Sequence, residues 1–323
     1  MVRSLKYQGG NRPDSSNPSD LLETAGSRAV WRGVVRVARP KQWLKNVLVF
    51  AAPGAAGVLT HRHQGLLALG AFGIFCLAAS GTYFVNDALD AAADRLHPVK
   101  RRRPVAAGIV SRGLAVGVGT GLLVGALGLA WLLAGERFTA VIAIYGGIVT
   151  VYSLRLKQEL IVDLACVSSG FILRAIAGGV ATGVPLTNWF IIVASFGSLL
   201  VVTGKRSAEH SHLGEERAAV RRTLGAYPPA FLRSVRLISA AVLIGAYCQW
   251  AFGITDRLGA LSHGHHPLWF ELSIVPFVLA VLHLELRFET GHGAAPEDLA
   301  LGDRMLQVLG LVWAAVFAAG IYG

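Results

Sequence analysis

Nine apolar runs of about 16 to 24 residues recur along the chain, at roughly 43–60, 65–85, 113–134, 138–153, 160–182, 187–203, 230–253, 267–284 and 305–321. A helix needs about 20 mostly apolar residues to cross the hydrocarbon core of a bilayer. The pattern therefore predicts an all-α, polytopic membrane protein of about nine transmembrane helices over residues 43–323. Ahead of it, residues 1–26 are polar, with prolines, serines and acids and no apolar core before a cleavage site; they read as a disordered arm rather than a cleavable signal. Residues 27–42 read as an amphipathic helix, with Arg28, Arg32, Arg36 and Arg39 on one face and Val30, Val34, Val37 and Ala38 on the other. Such a helix suits an anionic membrane surface; a flank that only sets topology is the other reading, and both stay open.

Composition supports the membrane assignment. The 323 residues are 54% hydrophobic and only 15% charged, too little charge for a soluble domain. The formal net charge of +11 raises the question of nucleic acid, and the distribution of the charge answers it. With the N-terminus cytoplasmic, 26 of the 30 Lys and Arg fall on that side, in residues 1–45, 86–112, 153–160, 204–236 and 285–304; only Arg62, Arg137 and Arg257 fall outside and Arg174 lies deep within a span. This is positive-inside asymmetry, not a nucleic-acid footprint; it predicts the N-terminus inside and, with nine spans, the C-terminus outside, and the localisation expected is the plasma (inner) membrane with the active site on the cytoplasmic side. Cys76, Cys166 and Cys248 lie singly inside spans, with no ligand spacing, and read as packing residues. Gly117, Gly121 and Gly125 read as a small-residue ladder for close helix contact.

The second run ends in "YFVNDALDAAADRLHPVKRRRP", Tyr83 to Pro104. If that helix continues past the membrane surface at about 100° per residue, Tyr83, Asn86, Asp87, Asp90 and Asp94 fall within about 100° of one face. Three carboxylates on one arc repel one another and are costly near an apolar mouth unless a cation answers them. Oxygen ligands without His or Cys at suitable spacing favour Mg2+, which takes one or two carboxylates and completes its shell with water and phosphate oxygens. A solvated helix face is the plain alternative. The basic run from Lys100 to Arg103 argues against it, because a polyanion bridged to Mg2+ needs cations around its remaining oxygens.

The stretch Asn86, Asp87, Asp90, Asp94, His97, Pro98, Lys100, Arg103 and Pro104 resembles the first aspartate-rich motif of the UbiA-type intramembrane prenyltransferase superfamily, in the form carried by its phosphoribosyl-transferring branch. "RPKQWLKN", Arg39 to Asn46, which sets Lys41 and Lys45 at the rim, resembles that branch's opening signature. "YSLRLKQELIVD" resembles its second motif through Tyr152, Ser153, Leu156, Lys157 and Asp163, and the loop with Lys205, Arg206 and Glu209 also fits. The resemblance runs from about Arg39 to the C-terminus. It implies helices around a central cavity and Mg2+-dependent transfer of phosphoribose from phosphoribosyl diphosphate (PRPP) to a polyprenyl (decaprenyl) phosphate for cell-wall arabinan synthesis. By the same resemblance Asp87, Asp90 and Asp94 are catalytic and Asn86 and Asp90 hold the metal. Lys41, Tyr83, Lys100, Arg103, Lys157, Asp163 and Arg174 then contact substrate. Glu159 and Asp163, with Lys157 beside them, favour direct phosphate contact over a second metal.

Arg174 lies about 14 residues, or roughly 21 Å, into its span, where it must snorkel, pair with an acid or face a wet cavity. Chemistry alone leaves these open; the "GFILR" pattern, Gly170 to Arg174, resembles the family's and favours the cavity. His97 reads as an orienting or phosphate-contacting residue, since a lipid phosphate is already an oxyanion and needs no base. Two rivals remain, an aromatic-acceptor polyprenyltransferase of the same fold and a lipid transporter. Against the transporter, the acid motif has no second copy in the other half. A homo-oligomer is neither specified nor excluded by the sequence.

Overall fold

The protein is described by a computed structural model over residues 18–97, 99–156, 159–212, 227–261, 268–293 and 296–322, and among these it contains helices and no strands. Helix α1, Pro18–Ala38, begins within the stretch whose polarity reads as arm; residues 1–17 lie outside the described residues. Its apolar stripe does not face lipid. Val37 is fully buried, and Val34 and Ala38 pack beside it on Phe84, Ala88, Ala91, Val105 and Val110. The outward face carries Arg28, Trp31, Arg32, Val35 and Arg36, all exposed. The helix stops at Arg39, which takes a left-handed conformation (φ 52°, ψ 62°) ahead of Pro40. A residue before proline is pushed out of the right-handed helical region, which ends the helix here.

The first expected span, 43–60, is not one α-helix. It is a 3-10 segment, Pro40–Phe50, followed by the short α2, Ala51–Ala55, and a 3-10 turn, Val58–Thr60. Three residues per turn align positions i and i+3. Accordingly Asn46 and Val49 are fully buried below the half-buried Trp43, whereas Lys41, Leu44 and Val47 form an exposed stripe.

Helix α3, Arg62–Leu96, is about 52 Å long at 1.5 Å per residue, longer than a hydrocarbon core of about 30 Å. A helix of that length is long enough to carry its C-terminal turns, and the acid motif with them, beyond a hydrocarbon core. The α4 helix, Arg112–Leu154, is nearly two bilayers long. It is broken at Ala134 (φ −146°) and Gly135 (φ 72°, ψ −160°), so it supplies the third and fourth spans. A glycine tolerates that positive φ without strain. The remaining helices are α5, Leu160–Thr182; α6, Asn188–His212; α7, Pro229–Leu261; α8, Leu268–Leu272; α9, Ile274–Glu289; α10, Pro296–Gly302; and α11, Arg304–Tyr322. Seven helices among the described residues are long and apolar enough to cross a membrane. Dividing α4 at its kink and adding the broken first segment recovers the nine apolar runs.

The principal core lies between α3, α4 and α5, where Ile74, Phe75, Ala78, Ala126, Phe138, Ile142, Tyr145 and Ala177 are buried together. The expected ladder of Gly117, Gly121 and Gly125 is not a contact: a Cβ at any of the three would meet nothing within 4 Å. The close crossing of α3 and α4 uses Gly81 and Gly119 instead, each lying where a Cβ would come within 3.0 Å of the other's carbonyl oxygen. The spacing of four does not mark the contact, because hydropathy does not say which side of an all-apolar helix meets protein.

Candidate active site

The sequence places Asn86, Asp87, Asp90 and Asp94 on one face of α3, and the structure supplies their surroundings. The chain entering from α1 lays the Arg39 guanidinium across the ring of Tyr83, 4.6 Å from its centroid, and Arg39 Nη2 donates to Asp87 Oδ1 at 2.6 Å. The left-handed backbone at Arg39 aims this side chain back at α3; for a residue with a Cβ that conformation is a strain held by its surroundings. From the other side, Arg103 Nη1 donates to Asp94 Oδ2 at 2.8 Å and lies 3.4 Å from Asp87 Oδ1. Asp87 and Asp94 are buried, 2% and 4% exposed, and two arginines balance them. Guanidinium groups thus relieve part of the crowding for which the sequence pattern invoked a metal.

Asn86 and Asp90 differ from these two. Both are half-buried and one helical turn apart. The Asn86 Oδ1 atom is buried and has no hydrogen-bond partner among the described residues. An acceptor left in that state is costly unless something occupies it. Among the described residues no group of three or more His, Cys, Asp and Glu side chains converges, so an ion here would take only one or two protein oxygens. That donor set fits Mg2+, which keeps most of its shell for water and phosphate. Lys100 is half-buried in the 3-10 turn Lys100–Arg102 just beyond, with Arg101 and Arg102 exposed beside it. Lys157 lies outside the described residues. Lys41, expected to contact substrate, is exposed on the outward stripe with Leu44 and Val47. Lys45 turns inward instead, its Nζ 6.0 Å from the centroid of Phe171, and bonds Gln42.

Asp163 opens α5 at the same end of the bundle and is fully buried. Its Oδ1 accepts from Tyr152 Oη at 2.6 Å and from Arg206 Nη2 at 3.0 Å, and its Oδ2 accepts from Arg206 Nε at 2.8 Å and lies 3.5 Å from Tyr227 Oη. A carboxylate so surrounded has no oxygen left for a substrate, against the expectation from its motif. The reason is Arg206, 4% exposed, which needs a buried counter-charge. Arg206 also bonds Glu209 Oε2 at 2.8 Å, about one turn further along α6, which ties that acid into the same scaffold.

Arg174 neither snorkels nor finds an acid. It is 5% exposed, with Nε donating to Asn46 Oδ1 at 2.6 Å, Nη1 to Gly170 O at 2.6 Å and Nη2 to Tyr145 Oη at 3.0 Å. The rings of Tyr145, Phe75 and Phe171 lie 4.9, 5.3 and 5.9 Å from Cζ. A Cβ at Gly178 would sit 1.7 Å from Val49 O, so only glycine lets α5 come this close to the 3-10 segment. Gly178 is one turn beyond Arg174 and Val49 one 3-10 turn beyond Asn46, so this contact seats the Arg174–Asn46 bond. Asn46 also donates to Cys76 Sγ at 3.2 Å, and all three cysteines are free thiols. Arg39, Lys45, Asn46, Tyr145 and Arg206 were not singled out as site residues by sequence reasoning. The Arg-Pro step at residues 39–40 was the available signal for the first; the others needed the period-three geometry or a long-range contact.

Helices long and apolar enough to cross a membrane, with acids and arginines gathered at one end and a buried arginine deeper inside, make this a polytopic all-helical membrane protein with a charged site. The chain matches the UbiA prenyltransferase family over residues 47–320, and it belongs to that family. It is 42% identical over 297 residues to "Decaprenyl-phosphate phosphoribosyltransferase" of Corynebacterium glutamicum, covering 90% of this chain and 87% of that one. It is 43% identical over 294 residues to the protein of the same name from Mycobacterium tuberculosis, covering 90% and 94%. A UbiA homolog from Archaeoglobus fulgidus, solved bound to GPP and Mg2+, superposes with a TM-score of 0.64 at 17% identity over 89% of this chain and 98% of that one, which shows the shared fold.

Proposed function

We propose that this protein transfers phosphoribose from PRPP to a polyprenyl phosphate, decaprenyl phosphate by the names of its relatives, and releases diphosphate. The observation that carries the reading is the C-terminal part of α3, where the Asn86 oxygen without a partner among the described residues and the half-buried Asp90 share a helix with Asp87 and Asp94, the two acids that Arg103 engages. The names of relatives over 40% identical along most of their length support it. In the reaction the bond from ribose C1 to the diphosphate oxygen breaks as an oxygen of the lipid phosphate bonds to C1. The acceptor is an oxyanion at neutral pH, so no side chain has to remove a proton.

Asn86 and Asp90 would hold Mg2+, which when bound neutralises charge on the diphosphate leaving group. Asp87 and Asp94 orient Arg39 and Arg103, so that guanidinium N–H groups face the anionic substrate without reorganising during reaction. Tyr83 supports Arg39 from beneath. Lys100 and, from the sequence, Lys157 contact phosphate oxygens; Lys45, turned inward, takes the place expected of Lys41. Arg174 contributes a positive charge that no carboxylate among the described residues pairs with, which draws phosphate inward from the mouth. Asp163, paired with Arg206, holds α5 to α6 and takes no part in the chemistry.

The chain is read as a polar N-terminal arm, the helix α1 at the interface and a catalytic bundle over 43–323. Trp31 and Val35, flanked by Arg28, Arg32 and Arg36, are the face of α1 suited to anionic headgroups. The active site is cytoplasmic in the plasma membrane, and the product serves cell-wall arabinan synthesis. A reporter fused after Gly323 is expected outside and one inserted near His212 inside; both on one side would break this topology. The chemical test is purified full-length protein with radioactive PRPP and polyprenyl phosphate, with and without Mg2+. Mg2+-dependent label in the lipid is expected. Reaction of polyprenyl diphosphate with hydroxybenzoate instead would leave the fold and overturn the substrate assignment.

A further inference from the structure

His97 caps the C-terminal end of α3, three residues beyond Asp94. Its Nδ1 accepts from two backbone N–H groups, Val99 N at 3.2 Å and Lys100 N at 3.3 Å. A ring nitrogen that accepts carries no proton, so the neutral ring holds its proton on Nε2. That atom is buried and has no hydrogen-bond partner among the described residues. Asp94, about one turn back along α3, directs Oδ2 to Arg103. Burial first, and then the charges of Lys100 and Arg103, hold the imidazole below the usual histidine range against the opposing pull of Asp94. The ring is therefore a neutral donor with a fixed tautomer and an unanswered N–H, flanked by two cations.

An acceptor for that N–H has to bring oxygen lone pairs and negative charge into a space bordered by Lys100 and Arg103. Carbonyl groups bring the first without the second, and a metal ion brings neither. We propose that His97 is a substrate-contacting residue, whose Nε2–H donates to a phosphoryl oxygen of a substrate at the mouth. The inference rests on the phosphoribosyl reading only in taking that substrate to be phosphorylated. It assigns one atom, one tautomer and one direction of donation. His97 also has two separable duties, since Nδ1 holds the turn while Nε2 holds the ligand.

The two nitrogens are tested apart by amide substitution in the full-length protein. In His97→Asn the side-chain oxygen takes the place of Nδ1 and keeps the turn, but nothing reaches the position of Nε2. In His97→Gln the amide nitrogen reaches that position and the turn acceptor is lost. A hydrogen bond to a charged group predicts that His97→Asn raises a KM by about ten- to a hundredfold, with unfolding temperature near wild type. His97→Gln should raise KM less and lower the unfolding temperature more. A rise in the KM of PRPP assigns the contact to the donor, and a rise in the KM of polyprenyl phosphate assigns it to the acceptor. Wild-type values for both in His97→Asn overturn the proposal. Should His97→Asn not fold, His97→Gln is compared with His97→Phe: KM near wild type in the first and raised in the second supports it, and equal values overturn it. If the wild-type protein labels no lipid from PRPP, the phosphoribosyl reading fails by itself. Calorimetric binding of inorganic phosphate and of diphosphate with Mg2+ then decides for His97, since weaker binding by the variant supports the contact and equal binding overturns it.

Discussion

The Asn86–Asp94 motif on α3 and the Asp163 motif on α5 look alike as sequence: each sets acids beside basic residues where an apolar run begins or ends. In the folded protein they are opposites. Around Asp163 both carboxylate oxygens accept from Tyr152 and Arg206, with Tyr227 alongside, and the whole group is closed to solvent. Around α3 the arginines satisfy Asp87 and Asp94, but Asn86 Oδ1 and His97 Nε2 stay buried with no partner among the described residues. Unanswered polar atoms are costly in a finished scaffold and are expected where a ligand completes the set. The difference separates a carboxylate that holds helices together from a group of atoms that awaits something charged.

The largest effect expected from this contrast is on stability. Asp163→Ala leaves Arg206 buried without its counter-charge and should cost about 3–5 kcal/mol. Thermal unfolding in detergent measures it, and turnover per folded molecule should be largely kept. Adding Arg206→Met should restore much of the loss. Full stability with abolished turnover would move Asp163 into the active site and erase the contrast. Next comes Asp90→Asn, which keeps shape and removes one charge from the proposed Mg2+ shell. Turnover should fall at least about tenfold, or about 1.4 kcal/mol in the barrier, with unfolding unchanged. Unaltered activity would return the α3 acids to a plain solvated face. The smallest effect is that of Tyr152→Phe, which deletes one donor to Asp163 and should cost about 1 kcal/mol of stability. The Mg2+ dependence of turnover should stay as in wild type; a shift in it would join the two motifs into one site.

Much of the architecture was legible because bilayer thickness makes hydropathy a length measurement. The nine runs, the continuation of α3 through the acid motif and the shared face of its acids follow from 1.5 Å and 100° per residue. The segment 40–60 was not legible as built, because a 3-10 path changes which residues face inward, and that exchanges Lys41 for Lys45 and brings Asn46 into the core. The glycine ladder failed for a related reason: every face of α4 is apolar, so periodicity could not tell lipid from protein.

By itself the sequence determined the membrane-spanning class, the placement of acids and bases at one end, and the motifs that resemble a phosphate-handling family. These depend on composition and on local helical geometry, which neighbouring residues encode. Only the tertiary structure decided which charges answer each other. Arg39 reaches Asp87 across 48 residues, Arg206 reaches Asp163 across 43, and Arg174 reaches Asn46 across 128. Whether a buried carboxylate supports the fold or leaves its surroundings open to a ligand depends on those distant partners, because hydrogen bonds act over about 3 Å of space whatever the separation along the chain.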